Sequence, residues 1–509
     1  MADKCGAART LKSRKEEKAP APKQAAAKSR EGAINGTAVA SQNKAPTTST
    51  IAAGGSDAED TTVQIITGSY ERVLHGFAAT IPRTLVTGQQ DAAAETEGPE
   101  VDFTDTFLFN AHTSAIRCLA LSPLSEETSK VMLATGATDE RINLYSLSTA
   151  PPVKSSQPKL PSLHGASITE NPKNKELGSL LHHSSNITAL YFPTRSKLLS
   201  AAEDSTIAIT RTRDWTALST IKAPIPKPQG RPSGDTAGPG EVPSGVNDFA
   251  VHPSMKLMVS VGKGEKCMRL WNLVTGKKAG VLNFDRNILT AVGEGRFGSG
   301  EGRRVIWDKE GDEYAVAFER GVVVFSIDSV PKAKIVPTPR TKVHQIHYLS
   351  SESHPNTLLV STEDGRVLLY DTSHTIASSG DADKPQKKDE IPSSRLIAQI
   401  GGPGAGISGR VKDFEILPLS LSSFLVITGS SDGTVRTWSL NSNELGGGEK
   451  PEEDKGFTAK QVGKLLGTYK TGTRVTCLKA FIMTGKPDAG EEEEVVDKDD
   501  VSSSDDESE

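Results

Sequence analysis

Short alternating runs of apolar and polar residues, separated by small polar turns, recur along the chain. The clearest is LVITGSSDGTVRTWSL, residues 425–440, in which Leu425–Ile427 and Thr434–Trp438 flank the turn Ser430–Gly433. Asp-Gly between two alternating segments predicts two antiparallel strands, because Gly accepts the positive φ that such a turn requires. The same hairpin pattern begins upstream at Leu133, Leu198, Val259 and Leu358.

The repetition of this hairpin decides the predicted fold class. A small four-stranded unit cannot bury both of its faces alone, so it must stack on copies of itself. An Asp-turn hairpin that ends in Trp or Tyr is typical of the WD40 blade. Seven such units can be placed between Val63 and Met483. The sequence therefore predicts an all-β, seven-bladed WD40 β-propeller.

The first and last predicted strands belong together. The segment VQIITGSYERVLHGFAA from Val63 supplies strand, turn and strand, with Ser69–Glu71 where later repeats have an Asp turn, but it lacks the innermost strand of a blade. Arg474–Ile482 has the pattern of an innermost strand with no hairpin after it. We expect this C-terminal strand to pair into the N-terminal blade, because closing the propeller leaves no exposed sheet edge.

Composition changes at both ends of the chain. Residues 1–60 contain few large apolar side chains and many Lys and Arg, so we expect a disordered basic tail. Residues 486–509 are dominated by Glu and Asp, and we expect a disordered acidic tail. The propeller is assigned to residues 61–485. Low-complexity loop insertions are predicted at residues 150–175, 224–243, 374–392 and 441–457.

Several classes of protein are disfavoured by simple features of the sequence. The four cysteines are far apart and form no CxxC pair, which indicates a reducing intracellular compartment rather than a zinc site or a disulfide framework. No apolar run approaches the roughly 18 residues that a membrane span needs. We therefore expect a protein without membrane segments. Those cysteines are Cys5, Cys118, Cys267 and Cys477.

The repeated His, Asp and Trp residues are interpreted as structural. In WD40 blades a turn Asp, a His, a Ser or Thr and a Trp form a buried hydrogen-bonded set, since each polar group needs a partner once water is excluded. The residues assigned to this role are His112, His183, Asp139, Asp204, Asp364, Asp432, Trp271 and Trp438.

No catalytic or cofactor-binding motif is predicted. Gly293–Gly298 matches GxGxxG, but the dinucleotide motif requires a following helix, and Arg303–Trp307 is strand-like. His344 and His347 are three residues apart on a predicted strand, so we expect them to face opposite sides and not to share a metal ion. We therefore expect no enzyme activity, no cofactor and no metal, and a binding role is the prediction.

Charged clusters supply the candidates for contact with partners. Arg410–Asp413, Arg303–Arg304 and Lys277–Lys278 suit RNA phosphate or an acidic partner, and each also suits a solubilising surface. In the acidic tail an acid stands three residues after each of three serines, the pattern that acidophilic kinases favour. These candidate phosphorylation sites are Ser502, Ser503 and Ser504.

Several sequence segments resemble those of a known family. These segments are GSYERVLHGFA from Gly68, LLHHSSNITALYF from Leu180 and SSDGTVRTW from Ser430, with LLSAAEDSTI, AVHPSMKLMVSVGKGEKCMRLWNLVTGK and RVKDFE between them. Together they resemble the p21-activated protein kinase-interacting protein family. This family includes the yeast maintenance-of-killer WD protein. The resemblance extends over roughly Val63 to Met483.

The resemblance implies a nucleolar, non-enzymatic assembly factor for the large (60S) ribosomal subunit. Its expected partners are proteins of the pre-60S particle, with pre-rRNA as a further candidate, and the chain would act as a monomer within that larger complex. The alternative is a signalling adaptor that binds and restrains a p21-activated kinase. In either case we expect partners to contact the rim and upper loops, and the candidate residues are Glu71, Arg72, His183 and Lys412.

Overall fold

A computed structural model describes most of the chain between residues 60 and 484. The predicted tails, including Cys5 and Ser502–Ser504, and most of the predicted loop insertions lie outside the described residues. In the described part, no helix is long and apolar enough to cross a membrane. The described residues are 60–87, 101–125, 128–152, 168, 171, 173–225, 244–295, 298–376, 390–446 and 459–484.

The architecture is all-β and propeller-like. Six hydrogen-bonded sheets are present among the described residues, five with four strands and one with eight. The eight-stranded sheet consists of two antiparallel four-stranded meanders, which are joined by one parallel pair, Lys334 with Ser393. Helices in the described ranges are short: α1 is Arg83–Thr87, α2 is Arg286–Ala291, and two 3-10 turns are Pro403–Ala405 and Ser442–Leu445.

The first three sheets follow the chain order. Sheet 1 has the order β28-β1-β2-β3, sheet 2 contains β4 to β7, and sheet 3 contains β8 to β11. Their strands are β1 Thr61–Ser69, β2 Val73–Ile81, β3 Asp102–Asn110, β4 Ile116–Leu121, β5 Lys130–Ala137, β6 Ile142–Ser148, β7 Lys175–Leu180, β8 Ile187–Thr194, β9 Lys197–Ala202, β10 Thr206–Arg211, β11 Ala217–Lys222 and β28 Val475–Ile482.

The remaining strands form three more sheets. Sheet 4 contains β12 to β15, sheet 5 is the eight-stranded sheet of β16 to β23, and sheet 6 contains β24 to β27. Their strands are β12 Val246–Val251, β13 Leu257–Gly262, β14 Cys267–Asn272, β15 Lys277–Asn283, β16 Arg304–Trp307, β17 Glu313–Ala317, β18 Val322–Ser326, β19 Pro331–Ile335, β20 Val343–Tyr348, β21 Thr357–Thr362, β22 Arg366–Ile376, β23 Ser393–Gly401, β24 Val411–Pro418, β25 Ser423–Ser430, β26 Thr434–Asn441 and β27 Lys464–Lys470.

The Asp-Gly hairpin that organises the sequence pattern is formed by β25 and β26. Gly433 has φ of 80°, a conformation in which a side chain is strained. A Cβ atom at this position would also lie 2.8 Å from the carbonyl oxygen of Thr473. The Gly of this turn is therefore required twice, by its backbone conformation and by the close approach of the chain before β28.

The last described strand pairs with the first, as the sequence predicts for Arg474–Ile482. β28 runs antiparallel to β1, from Val63 opposite Ile482 to Ser69 opposite Val475. Its apolar side chains enter a core cluster that also contains residues of β1, β2 and β25. The pairing is therefore supported by side-chain burial as well as by backbone hydrogen bonds.

Two segments contribute more to the core than the sequence predicts. The region 150–175 is predicted as a loop insertion, but Ile168 is fully buried against Phe107 and Val131. The segment before β16 has no predicted helix, but it contains α2, whose N-cap Asp285 accepts a hydrogen bond from the backbone N–H of Ile288. An Asp at this position is a helix start signal, which a search for repeated hairpins overlooks.

We predict that Leu478→Ala destabilises the protein by about 2–5 kcal/mol, because Leu478 is fully buried in the cluster that attaches β28 to β1. The matched control is Leu465→Ala on β27, since Leu465 is 43% exposed, and its cost should be below about 1 kcal/mol. Urea denaturation of both variants measures the difference. Equal effects of the two substitutions would contradict the packing described for β28.

Candidate functional site

One strand of each four-stranded meander contacts the corresponding strands of its neighbours. We call these the inner strands: β4, β8, β12, β16, β20, β24 and β28. Each of them contacts the next along the chain, and β28 also contacts β4. Six of the seven begin with a buried β-branched residue. These residues are Ile116, Ile187, Val246, Val343, Val411 and Val475.

The same six inner strands have a β-bulge directly after that buried residue. The register of strand pairing shifts there in β4, β8, β12, β20 and β24. In β28, Thr476 lies between Val475 and Cys477 and has no pairing partner in β1. A bulge leaves one residue out of the ladder and redirects its side chain. The bulge residues are Arg117, Thr188, Asn247, His344 with Gln345, Lys412 and Thr476.

Three bulge residues fasten an inner strand to the next inner strand or, for Asn247, to the segment just before it. The Thr188 hydroxyl donates to the carbonyl of Val246 at 2.6 Å, and the Asn247 amide donates to the carbonyl of Gly302 at 2.8 Å. The Thr476 hydroxyl donates to the carbonyl of Ile116 at 2.6 Å. The bulge position therefore has a structural role in these strands.

Three further bulge residues line a cavity. Arg117, His344 and Lys412 occupy the equivalent position in β4, β20 and β24, and they face a cavity of about 740 Å³ at this end of the inner strands. We call it the basic cavity. Its lining consists of Tyr70, Arg72, Ser114, Ala115, Arg117, Thr138, Arg304, His344, Lys412, Arg474, Val475 and Thr476.

The lining of the basic cavity contains five cationic side chains and no carboxylate. Arg304 lies 4.0 Å from the buried carboxylate of Asp248, and the Arg474 guanidinium lies 5.7 Å from the centre of the Tyr70 ring. The remaining three have no carboxylate within 4 Å in the part of the chain that the structure describes: Arg72, Arg117 and Lys412.

Burial and mutual repulsion set the charges in the cavity. Burial, together with Lys412 and nearby arginines, lowers the pKa of His344 to about 3, so its ring is neutral near pH 7. Lys412 Nζ donates to Nε2 of that ring at 3.4 Å. Burial, followed by repulsion from Arg410, also lowers the pKa of Lys412. The positive charge of the cavity is therefore incompletely balanced.

The charges deeper along the inner strands are balanced, in contrast to those of the cavity. The Asp413 carboxylate accepts hydrogen bonds from the backbone N–H of Leu478 at 2.9 Å and from the Gln345 amide at 3.2 Å. Lys479 Nζ lies 2.6 Å from the Glu415 carboxylate. These contacts hold β24, β20 and β28 together. The groups therefore satisfy one another's charges and hydrogen bonds.

Three of the four predicted partner-binding residues lie at the basic cavity. Arg72 and Lys412 line it. Glu71 precedes Arg72 in the exposed turn between β1 and β2, and its carboxylate accepts a hydrogen bond from the backbone N–H of Arg474 at 2.9 Å. Residues from the two ends of the propeller sequence and from β24 are therefore brought together.

The fourth residue, His183, is placed with the structural residues. Its ring is fully buried, Nδ1 lies 3.2 Å from the Asp204 carboxylate, and Nε2 lies 2.8 Å from the Ser200 hydroxyl. Because both ring nitrogens are engaged, the ring has no free atom with which to bind a partner. The assignment of His183 to partner binding needs this correction.

The other predicted structural residues make the contacts expected of a blade. His112 contacts the Asp139 carboxylate at 3.1 Å and the Thr135 hydroxyl at 2.8 Å. Trp271 donates to the Ser260 hydroxyl at 2.8 Å, and Trp438 donates to the Thr428 hydroxyl at 3.3 Å. The turn carboxylates of Asp364 and Asp432 accept hydrogen bonds from Arg366 and from the backbone N–H of Thr434.

The bulge in β20 lies in the segment that contains His344 and His347. His344 and His347 are predicted to face opposite sides of a regular strand, but the register shift between Val343 and Ile346 breaks the alternation. Ile346 enters the core, and both histidines lie near Arg304, which contributes to lowering both pKa values. The described residues contain no group of three or more His, Cys, Asp or Glu that could hold a metal.

The sequence reasoning missed Arg117 and Arg474 as members of the site. The signal was a cationic residue beside the β-branched residue that begins an inner strand, as in Ile116-Arg117, Val411-Lys412 and Arg474-Val475. It also missed a contact between sheets 1 and 6, where Asp105 accepts from Tyr469 and lies 2.7 Å from the His75 ring.

Comparison with known proteins places these features in a family context. The model of the WD domain, G-beta repeat family matches residues 103–146 and 174–210. A p21-activated protein kinase-interacting protein 1-like protein of Xenopus laevis is 23% identical over 423 residues, which cover 83% of each chain. Protein MAK11 of Saccharomyces cerevisiae is 27% identical over 403 residues, which cover 75% of this chain and 78% of MAK11. The chain is a homologue of these proteins.

The matched repeats contain the two His-Asp contacts of the structure. His112 and Asp139 lie in the first matched segment, and His183 and Asp204 lie in the second. A shorter similarity, 26% identity over 182 residues, links the chain to Shk1 kinase-binding protein 15 of Schizosaccharomyces pombe and covers 36% of this chain and 44% of that protein. Both His-Asp contacts therefore lie in segments that are similar to the WD repeat.

We predict that Asp139→Asn lowers stability by about 1–3 kcal/mol, because the Asp139 carboxylate accepts from His112, from Thr113 and from the backbone N–H of Arg141. The matched control is Asp214→Asn, which removes an exposed ion pair with Arg211 and should leave the melting temperature nearly unchanged. Thermal unfolding compares the two. A control that melts as early as Asp139→Asn would contradict a structural role for Asp139.

We predict that His347→Gln reduces the loss of stability at acidic pH. Burial, with Lys479 and Arg304 nearby, lowers the pKa of His347 to about 3, against about 6.5 in an unfolded chain. Between these values the unfolded chain binds a proton that the folded chain excludes. The free energy of unfolding therefore falls as the pH drops below 6.5, by up to about 1.4 kcal/mol per pH unit for this group.

Urea denaturation at pH 7.5 and at pH 5 measures this effect, and the variant should lose less stability than the wild type. His374→Gln is the control, because the His374 side chain is 73% exposed. An equal loss in the wild type and the His347 variant would show that His347 is protonated in the folded protein.

Proposed function

We propose that the protein is a non-enzymatic scaffold in the biogenesis of the large (60S) ribosomal subunit. It acts in the nucleolus, where it binds proteins of the pre-60S particle, with pre-rRNA as a further candidate. The observation that carries this proposal is the basic cavity, where predicted partner-binding residues of a MAK11 homologue lie among cations without carboxylate partners. Such a site is built to receive an anionic group from another molecule.

The proposal of a scaffold is supported by how the polar residues are used. WD40 repeat proteins are typically non-enzymatic scaffolds. His112 and His183 are buried in blade contacts with Asp139 and Asp204 and are not available for acid–base chemistry. The lining of the cavity contributes hydroxyls, one neutral imidazole and positive charge.

The finer architecture of the scaffold is part of the proposal. We infer seven blades in one closed ring, with sheet 5 counted as two blades, because its two meanders share only the pair Lys334 and Ser393. Closure is supported by the contacts of β28, which pairs with β1 and also lies against β4 and β24. Each inner strand then has a neighbour on both sides.

A second candidate function is binding to a p21-activated kinase. It is favoured by the names of relatives such as p21-activated protein kinase-interacting protein 1 of Homo sapiens, which is 23% identical over 420 residues. As an adaptor, the protein would hold a regulatory segment of the kinase. Purified kinase and purified full-length protein would then form a direct complex, which the ribosomal proposal does not require.

We predict that depletion of the protein from its own cells lowers large-subunit precursors relative to small-subunit precursors. The physical reason is that an assembly intermediate loses a component that holds its proteins together. Sucrose-gradient profiles and precursor rRNA measured after depletion test this, and re-expression of the wild-type chain is the control for specificity. An unchanged ratio of subunits, together with a direct kinase complex, would replace this proposal by the second candidate.

A further inference from the structure

Three cations that have no carboxylate within 4 Å among the described residues, Arg72, Arg117 and Lys412, converge on the basic cavity. On the surrounding surface, Arg410 lies 3.2 Å from Glu363, and Glu319 lies 3.0 Å from Lys342 and 3.7 Å from Arg303. The charge around the cavity is therefore largely balanced by ion pairs, and the charge inside it is not. A ligand that complements this distribution of charge carries several negative charges close together.

We propose that the basic cavity binds an acidic peptide segment, in which a short run of Asp and Glu carboxylates enters among Arg72, Arg117, Lys412 and Arg474. The inference rests on the proposed scaffold function, because it names the chemistry of one of the scaffold's partners. It adds which surface is used and which groups of the partner are recognised.

The bulges explain how the cations come to point into the cavity. At the same position, Thr188, Asn247 and Thr476 use their side chains to fasten one inner strand to the next. In the described part of the chain Arg117 makes no hydrogen bond to a neighbouring strand, and Lys412 contacts only the His344 ring, which itself lines the cavity. Their side chains are thus released from the fastening role and are directed at the cavity by the same backbone geometry.

The chemistry of the lining suits carboxylates. A guanidinium presents two parallel N–H donors that match the two oxygens of a carboxylate, and four of the five cations are arginines. The cations also repel one another, since Arg410 and Arg474 both contribute to lowering the pKa of Lys412. A bound carboxylate is attracted to the cations and also reduces the repulsion among them. Both effects favour binding.

Single-stranded RNA fits the site less well than an acidic peptide. RNA of this kind needs a basic groove that follows its backbone and aromatic rings on which bases stack. The charges beside the cavity are paired, and the aromatic ring at its rim, Tyr70, already lies beside the Arg474 guanidinium. A cavity of about 740 Å³ also has the size of a pocket for a few side chains rather than for a nucleic acid strand.

Two sources can supply the acidic peptide. One is a partner chain, and the other is the acidic sequence of this chain itself, which contains Glu491–Glu494 and ends in SSSDDESE. Both present the same carboxylate chemistry to the cavity. The experiment therefore includes a full-length variant in which Glu491–Glu494 are changed to Gln.

The test measures binding of two labelled probes to the purified full-length protein by fluorescence anisotropy at 50 mM and 200 mM KCl. The probes are a deca-glutamate peptide and a ten-nucleotide uridine RNA. We expect saturable binding of the peptide that weakens at the higher salt concentration, and at least tenfold weaker binding of the RNA. Peptide that does not bind, or RNA that binds as tightly as the peptide, would overturn the proposal.

Variants assign the binding to the cavity. Arg117→Gln with Lys412→Gln should weaken binding of the peptide at least tenfold, and the matched control, Lys277→Gln with Lys278→Gln on the exposed strand β15, should change it less than twofold. Arg72→Gln, in an exposed turn, provides a second cavity variant if the first fails to fold. Wild-type affinity in a folded cavity variant, or equal loss in the control, would overturn the proposal.

The source of the peptide is read from the Glu491–Glu494 variant. Tighter binding of the probe by that variant indicates that the chain's own acidic sequence occupies the cavity. Unchanged binding indicates that the acidic segment comes from a partner. Either result supports recognition of carboxylates. The outcome is also separable from that of the proposed function. The depletion experiment does not depend on the cavity, so a failure of peptide binding leaves the large-subunit proposal standing.

Discussion

The structure depends on the requirement that both faces of every small sheet be buried. A four-stranded sheet of this size exposes too much apolar surface to be stable alone, and it removes that surface from water only by stacking on its neighbours. The core clusters follow this rule, since each combines residues from adjacent sheets or from the two meanders of sheet 5. The strand β28 is the clearest consequence, because it supplies to the first sheet a strand that the N-terminal sequence does not contain.

The same stacking brings the beginnings of the inner strands together, and this convergence creates the candidate site. A buried β-branched residue anchors six of the seven beginnings, and the bulge after it turns the next side chain away from the ladder. Where that side chain is Thr or Asn, it strengthens the contact between strands. Where it is Arg117 or Lys412, the same position becomes part of a basic cavity. Structure and binding therefore use one repeated backbone feature with different side chains.

The sequence predicted the parts of the fold that have a local signal. Alternating residues around Asp-Gly located β25 and β26, and the solitary strand pattern at Arg474–Ile482 located β28. The helix α2 and the burial of Ile168 were missed because they lie in segments that the repeat pattern does not describe. The pairing of β28 was predictable because an incomplete first unit and an unpaired last strand require each other.

The candidate site was predictable only in part, for a physical reason. Arg72 and Lys412 could be selected as charged residues at turns and strand starts, but Arg117 and Arg474 join them only through the three-dimensional arrangement of the inner strands. His183 was predicted both as a structural residue and as a candidate for partner binding, because a buried and an exposed histidine look alike in sequence. Its contacts with Asp204 and Ser200 place it with the structural residues. Bulges also carry no composition signal, which is why the register shift between Val343 and Ile346 was not predicted.

The central claim of this account is that partners engage the protein at the basic cavity. Hydrogen–deuterium exchange of the full-length protein, alone and in its purified native complex, tests this claim most directly. The account predicts slower exchange in the complex at residues 70–72, 114–117, 410–412 and 474–476, with unchanged exchange in the exposed strand β15. Protection confined to outer strands such as β15, with no change at the cavity, would contradict it.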